Sequence, residues 1–171
     1  DPVTFGIDIN DMKSKITEKT VGIIPVDTFG LCCDIKNIIE VANKHNLFVI
    51  QDSACSLGST FDGVQVGNYA DTTCFSFHPR KSITTGEGGM LLTDNDEIAE
   101  KVSILRTHGG VRKEFYLSFE EAGYNYRMSD VLAAIGVAQS RKLKYLLSER
   151  KKLAKVLTEK VSDIAELVPP S

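Results

Sequence analysis

Lys81 lies in a stretch, Ala70 to Leu92, in which an apolar run precedes it and a glycine-rich run follows. Thr72 to Phe77 are β-branched, aromatic or small, and read as a buried strand. His78-Pro79 breaks that strand. Gly86, Gly88 and Gly89 then allow tight, close-approaching backbone before a second strand over Gly89 to Leu92. A lysine held between two apolar strands in a glycine-rich pocket tends to lose its proton, and a neutral lysine amine is a Schiff-base nucleophile. The same residues also describe a surface loop with an ordinary lysine.

Two more residues belong with it. In open α/β sheets ligands sit beyond the carboxyl ends of the strands. Asp52 falls at the end of one apolar run, and Ser76 near the end of the run that leads to Lys81. An amine, a carboxylate and a hydroxyl are what pyridoxal phosphate asks of a protein. The amine forms the Schiff base, the carboxylate keeps the ring nitrogen protonated, and hydroxyls with backbone N–H groups take the phosphate. Singly, Asp52 also reads as a turn former and Ser76 as a locally bonded strand residue.

The elements that must position these groups follow from patterning. Asn10 reads as the N-cap of a short helix carrying Met12 and Ile16. Val21 to Val26 reads as a buried strand with Pro25 marking its end. Asp34 caps a helix with Ile35, Ile38, Ile39, Val41 and Ala42 on one face, and Leu47 to Ile50 is the next buried strand, stopping at Gln51-Asp52. Strand, helix and strand with short links form a βαβ unit, hence a parallel pair. A polar loop with Gly58, Gly63 and Gly67 follows. Between Phe77 and Gly89 there is no helix, so the strand after Lys81 is expected to run antiparallel.

Further on, Asn95 or Asp94 caps a helix through Arg106 that His108-Gly109-Gly110 ends. Val111 to Arg127 reads as an irregular loop. Ser129 caps a helix whose Val131 to Ala138 are apolar all round and so expected to be buried. From Leu143 a helical stripe of Leu146, Leu147, Leu153, Leu157, Val161 and Ile164 continues. Between Arg141 and Lys160 eight Lys or Arg face two Glu, a basic face most simply read as solvated. Val168-Pro169-Pro170 stops the chain.

Composition narrows the function classes. The chain has 171 residues, 42% hydrophobic and 25% charged, with a net charge of −3, the profile of one ordinary globular domain. That charge offers no pull toward nucleic acid or an anionic membrane, and no apolar run approaches the roughly 18 residues of a membrane span. Asp1 opens the sequence without a basic-then-apolar leader, as an internal cut in a longer chain would. The four cysteines, Cys32, Cys33, Cys55 and Cys74, lack paired CxxC spacing, so no metal site is expected. They read as the reduced thiols of a cytoplasmic protein.

Motifs in order then carry a resemblance. Gln51-Asp52-Ser53-Ala54-Cys55-Ser56-Leu57-Gly58, Phe75-Ser76-Phe77-His78-Pro79-Arg80-Lys81 and Thr84-Thr85-Gly86-Glu87-Gly88-Gly89 are followed by Gly123-Tyr124-Asn125-Tyr126-Arg127-Met128-Ser129 and Ala133-Ala134. With Ile24-Pro25-Val26 and Gly30 near the start, the chain resembles the DegT/DnrJ/EryC1/StrS family of pyridoxal-phosphate sugar aminotransferases over almost its whole length. The resemblance implies an α/β fold: a three-layer, mostly parallel sheet with helices on both faces, as in the large domain of fold-type-I pyridoxal-phosphate enzymes, incomplete at both ends. Residues 1–171 would be the central portion of that domain. Residues 1–140 would hold the sheet and helices around the cofactor, and 141–171 a long helix leading toward a small domain. Family chains run to more than twice this length.

By motif, the resemblance implies Lys81 as the Schiff-base lysine and proton shuttle, and Asp52 as the partner of the pyridinium nitrogen. It implies Ser76 and Asn125 on the phosphate, Asn125 reaching the cofactor of a neighbouring subunit in a homodimer with shared sites. Arg127 and His78 stand as substrate contacts, although His78 equally reads as locally bonded. Cys55 stands where many members carry Gln or His near the cofactor's ring hydroxyl, and a thiol is a poorer hydrogen-bond partner. The implied reaction takes an amino group from an amino acid, glutamate foremost, to a nucleotide-linked keto sugar for surface-polysaccharide or secondary-metabolite sugars. Two alternatives stay open: a catalytically incomplete or non-enzymatic assembly domain, and a sugar dehydratase, the latter disfavoured by the intact Lys81.

Overall fold

The computed structural model describes residues 1–164, Glu166 and Leu167; the expected stop at Val168-Pro169-Pro170 lies outside the described residues. The first helix, α1 (Ile9–Lys15), is capped by Asp8 and not by Asn10. The Asp8 carboxylate accepts the N–H groups of Asn10 and Asp11, both at 2.8 Å, so the acidic side chain one step earlier satisfies the free donors of the first turn.

Strand β1 is only Gly22–Ile23, shorter than the expected Val21 to Val26. Pro25 has no N–H to donate and interrupts the ladder. The chain still runs beside its neighbour, since Pro25 C=O accepts from Asp52 N–H at 2.9 Å and Val26 bridges Asp52 in parallel. Helix α2 (Ile35–His45) is capped by Asp34 as expected and closes on Asn46 in the left-handed region, where a short polar side chain is tolerated. Strand β2 (Phe48–Asp52) extends two residues beyond the expected end and places Asp52 on its last rung.

After β2 the expected polar loop contains a small hairpin, β3 (Thr60–Phe61) and β4 (Val64–Gln65). It turns at Asp62-Gly63, both with positive φ, the pairing that a two-residue hairpin turn demands. Strand β5 (Thr72–Ser76) pairs parallel with β2, and β6 (Gly89–Leu92) pairs antiparallel with β5. The sheet order is β1-β2-β5-β6, so the parallel pair and the antiparallel return are both as expected.

Register assigns the faces. Ile23 and Val49 are partners, and both join the core of Met12, Cys33, Ile35, Ile38, Val41, Ala42 and Leu47 formed with α1 and α2. The alternate side chains of the same strands, Ile24, Val26 and Phe48, remain exposed. Asp52 and Cys74 are register partners, and Ser76 follows Cys74 by two; the period of two puts all three on the second face, with Val26.

Helix α3 (Asp96–Leu105) is capped by Asn95. The segment expected to be irregular instead holds a hairpin, β7 (Gly110–Arg112) and β8 (Leu117–Phe119), closed by Lys113 N–H to Tyr116 C=O at 2.8 Å. Helix α4 (Asp130–Ser140), capped by Ser129 as expected, is followed by α5 (Leu143–Val161). One expectation changes here. The apolar turns of α4 are not buried in this chain, with Val131 72% and Val137 53% exposed, because no other described element covers them. Of the long helix expected over 141–171, the described residues show helix from Leu143 to Val161.

Candidate active site

Asp52 and Ser76 end adjacent parallel strands, so both side chains stand at the same carboxyl edge of the sheet. Lys81 follows in the loop from β5 to β6. Three bonds close that loop: Lys81 N–H to His78 C=O at 2.9 Å, Thr85 N–H to Phe77 C=O at 3.1 Å, and Phe77 N–H to Gly88 C=O at 2.8 Å. The Thr84 hydroxyl also donates to Phe77 C=O, at 2.8 Å. Gly88 has φ +151, and a Cβ there would meet Met128 Cε, Thr85 Oγ1 and the Phe77 ring, so the turn needs a residue without one. Helix α5 reaches in from far along the chain, Arg150 Nη2 donating to Lys81 C=O at 3.4 Å.

Lys81 is half-buried, more open than a pocket between two apolar strands implies. Its Nζ lies 3.1 Å from Cys55 Sγ and forms no ion pair among the described residues. Asp52 is half-buried, and its Oδ1 accepts from Ala54 N–H at 3.1 Å, leaving Oδ2 without a partner among the described residues. Ser76 Oγ accepts from His78 N–H at 3.3 Å and His78 Nδ1 from Arg80 N–H at 3.2 Å; the histidine closes the local turn that carries the chain to Lys81. Burial, and then the Asp52 carboxylate beside it, push the Cys74 thiol up. Lys81 and Cys55, and Asp52 with Ser76 and Cys74, are thus brought together. Asn125 and Arg127 lie on a separate stretch, exposed, with Arg127 Nε donating to Asn125 Oδ1 at 2.9 Å.

Sequence reading missed Asp27, which follows Val26 on the opposite face and is 1% exposed. Its Oδ1 accepts from Cys33 N–H at 3.0 Å and Gln51 Nε2 at 3.1 Å. Its Oδ2 accepts from Gln51 Nε2 at 3.1 Å and from the Ser53 and Ser56 hydroxyls, both at 2.7 Å. Asp27 N–H also donates to Asp52 C=O at 2.9 Å. One buried carboxylate therefore braces the turn from Asp52 to Ser56 that carries Cys55. The only signal for it was an acid directly after an apolar run, with serines on either side of Cys55. Cys32 and Cys33 Sγ lie near this carboxylate, all three groups within 4.8 Å of one another. Its oxygens are already taken by donors, so the cluster reads as an anchored anion and not as a metal centre. A hydrogen bond from Cys33 holds the Cys32 thiol below its ordinary value, while Cys33 itself is pushed well up by that bond and by burial.

The residues present fit pyridoxal phosphate. Among the described residues, Asp52 offers a carboxylate oxygen without a partner at the sheet edge beside Val26, Ser76 a hydroxyl on the same face, and Lys81 an amine without a carboxylate partner. Surface hollows of about 300 and 530 Å³ lie elsewhere, lined by Tyr69 to Asp71 with Asp94 and Asn95, and by segments from Asp1 to Phe61. Neither is lined by a candidate site residue.

Residues 1–171 match the sequence model of the DegT/DnrJ/EryC1/StrS aminotransferase family. The chain is 39% identical to the GDP-perosamine synthase of Caulobacter vibrioides over 168 residues, covering 98% of this chain and 45% of that protein. Among solved structures it is similar to Helicobacter pylori PseC, an aminotransferase involved in the biosynthesis of pseudoaminic acid. There the TM-score is 0.91 at 32% identity, over 94% of this chain and 43% of that one. The PLP-form of the putative sugar aminotransferase Spr1654 from Streptococcus pneumoniae gives a TM-score of 0.86 at 30% identity, covering 94% and 46%. The chain spans about half the length of the curated relatives it matches.

Proposed function

Because the chain belongs to the DegT/DnrJ/EryC1/StrS aminotransferase family, we propose that the protein containing it transfers an amino group from an amino acid, glutamate in our reading, to a nucleotide-linked keto sugar. The destination is a surface-polysaccharide or secondary-metabolite sugar. The observation that supports this reading is the pairing of Asp52 and Ser76 at one sheet edge with Lys81 in the loop just beyond. The family's cofactor is pyridoxal phosphate, which supplies an electron sink for deprotonating the carbon that bears the amine.

Around it the chain's own groups divide the work. Asp52 Oδ2 would hold a proton on the ring nitrogen as a fixed negative charge. The Ser76 hydroxyl would donate to the phosphate, and Cys55 would stand toward the ring hydroxyl. The Lys81 amine would anchor the cofactor and, when free, would take a proton from one carbon and return it to another, acting as base and then acid. A full cycle uses this shuttle twice, once for the donor and once for the keto sugar. Asn125 and Arg127 complete a site shared between the subunits of a homodimer. The apolar side chains exposed on α4, Val131, Ile135 and Val137, suit burial against that second subunit. His78 closes the turn before Lys81 and stands at the substrate side.

A second reading, an assembly domain without catalysis, draws on the same exposed apolar side chains and on Ile24, Val26 and Phe48. One experiment separates the two. The full-length protein containing this chain is incubated with pyridoxal phosphate, reduced with borohydride and digested for mass spectrometry. The expected adduct is on Lys81. Absence of any adduct, or a Lys81→Ala variant that still exchanges amino groups, overturns the proposal.

A further inference from the structure

His108 is a residue that neither the motifs nor the catalytic roles above use. Its backbone is in the left-handed region, φ 60, which costs a non-glycine residue free energy and persists only where the surroundings impose it. Here they do. His108 N–H donates to Tyr124 C=O at 2.9 Å, Tyr124 N–H to Leu105 C=O at 2.9 Å and Tyr126 N–H to Arg106 C=O at 3.0 Å, while Thr107 bridges Asn125 antiparallel. The end of α3 and the Gly123–Arg127 stretch are thereby one ladder. The imidazole is delivered to Arg127, whose Nη2 lies 3.3 Å from His108 Nε2.

The donor inventory of Arg127 gives this contact a direction. A guanidinium has five N–H donors and no acceptor, so Arg127 donates and His108 Nε2 accepts, which requires a neutral imidazole carrying its proton on Nδ1. Arg127 Nε is spent on Asn125 Oδ1 at 2.9 Å. Two of the five donors are thus used to orient the plane, and three remain, two on Nη1 and one on Nη2, without partners among the described residues. That is the open edge that binds an oxyanion bidentately. Met128, the next residue, lies against Gly88 in the turn after Lys81, so the fork is tied to the Lys81 loop.

We propose that His108 is a positioning residue: its neutral imidazole, with Asn125, holds Arg127 so that the free edge of the guanidinium receives an oxyanion of the reaction. The inference rests on the aminotransferase reading and deepens it. The oxyanion has three sources of one chemistry: the diphosphate of the nucleotide sugar, the carboxylate of the amino donor and the phosphate of the cofactor. Glu121 is paired with Lys101 at 2.6 Å and Glu120 with Lys113 at 3.2 Å, so neither carboxylate occupies the free edge of Arg127.

The test uses the full-length protein containing this chain, with His108→Phe, His108→Gln and Arg127→Gln variants. KM for the nucleotide sugar, KM for the amino donor, kcat, and pyridoxal phosphate affinity by absorbance titration are measured for each. Arg127→Gln should weaken one of the three by about ten-fold or more, and the one that moves names the oxyanion. His108→Phe should weaken that same constant by about three- to ten-fold with kcat little changed. His108→Gln, whose amide oxygen can accept where Nε2 did, should restore it. If Arg127→Gln moves none of the three, the oxyanion assignment falls. If Arg127→Gln moves one but His108→Phe does not, or if His108→Gln fails to restore it, His108 is no positioning residue. A missing Lys81 adduct in the borohydride experiment reports separately on the aminotransferase reading.

Discussion

The Lys81 amine lies 3.1 Å from the Cys55 sulfur, and no carboxylate among the described residues pairs with it. The lysine amine and the exposed thiol meet because the Asp52–Ser56 turn, braced from below by Asp27, ends beside the loop that β5 delivers. An arrangement of this kind can be probed from the sulfur side.

Exposure orders the thiols: Cys55 is exposed, Cys32 and Cys74 half-buried and Cys33 buried. Cys55 is therefore expected to alkylate first with iodoacetamide and Cys33 last, with pyridoxal phosphate protecting Cys55. Cys55→Ala should weaken cofactor binding by only a few-fold, since a thiol contact is worth about 1 kcal/mol or less. Site-resolved mass spectrometry and an absorbance titration check the two statements; Cys55 reacting no faster than Cys33 would refute the first.

Asp27→Ala leaves Gln51 Nε2, the Ser53 and Ser56 hydroxyls and Cys33 N–H without their acceptor. Each buried donor left unpaired costs about 1–3 kcal/mol, so a loss on the order of 3 kcal/mol or more is expected in urea denaturation. Because the same carboxylate fixes the turn after Asp52, cofactor affinity should fall along with stability. A variant as stable as the parent would show that the network contributes nothing.

Gly109 has φ +73, and a Cβ there would run into the carbonyl of Glu121. Gly109→Ala is expected to detach the Gly123–Arg127 stretch from the end of α3, at a cost of about 2 kcal/mol or more. Gly63, with φ +77 but open space around it, serves as the control: Gly63→Ala should cost about 1 kcal/mol. Thermal midpoints of both variants decide the matter, and equal shifts would contradict the clash.

Burial, with Asp52 second, pushes the Cys74 thiol above its ordinary value of 9.0. The folded state then holds a proton that the unfolded chain gives up first. The contribution is intact below the ordinary thiol value and is lost as pH rises from there through the folded value. Stability should decline on the alkaline side, and Cys74→Ala should make that decline shallower. A thermal-midpoint series from about pH 7 to 10.5 reads it, and parallel curves for parent and variant would rule out this source.

Much of the scaffold was legible because it is local. The caps at Asp34, Asn95 and Ser129 and the run Gly89 to Leu92 follow from side-chain chemistry within a few residues, and the missing crossover helix made β6 antiparallel. The departures are local rules outweighed or overlooked. Asp8 outcompeted Asn10 as a cap, Pro25 ended β1's ladder early, and Asp62-Gly63 carried a hairpin signal inside a loop. β7 and β8 were missed because three-residue strands have no readable period. The buried reading of α4 failed because an all-apolar helix states only that something covers it, and among the described residues nothing covers Val131 or Val137.

By itself the sequence determined the amine, the carboxylate and the hydroxyl at strand ends, and the family to which they belong, since motif order and strand-end spacing are properties of the chain. Only the tertiary structure decided which groups touch. The Asp52–Cys74 register, the Asp27 carboxylate under the Asp52 turn, the Cys55–Lys81 contact and the His108–Arg127 pairing each join residues far apart in sequence. Contacts of that kind are fixed by how strands align and loops close, which no local pattern of residue types encodes.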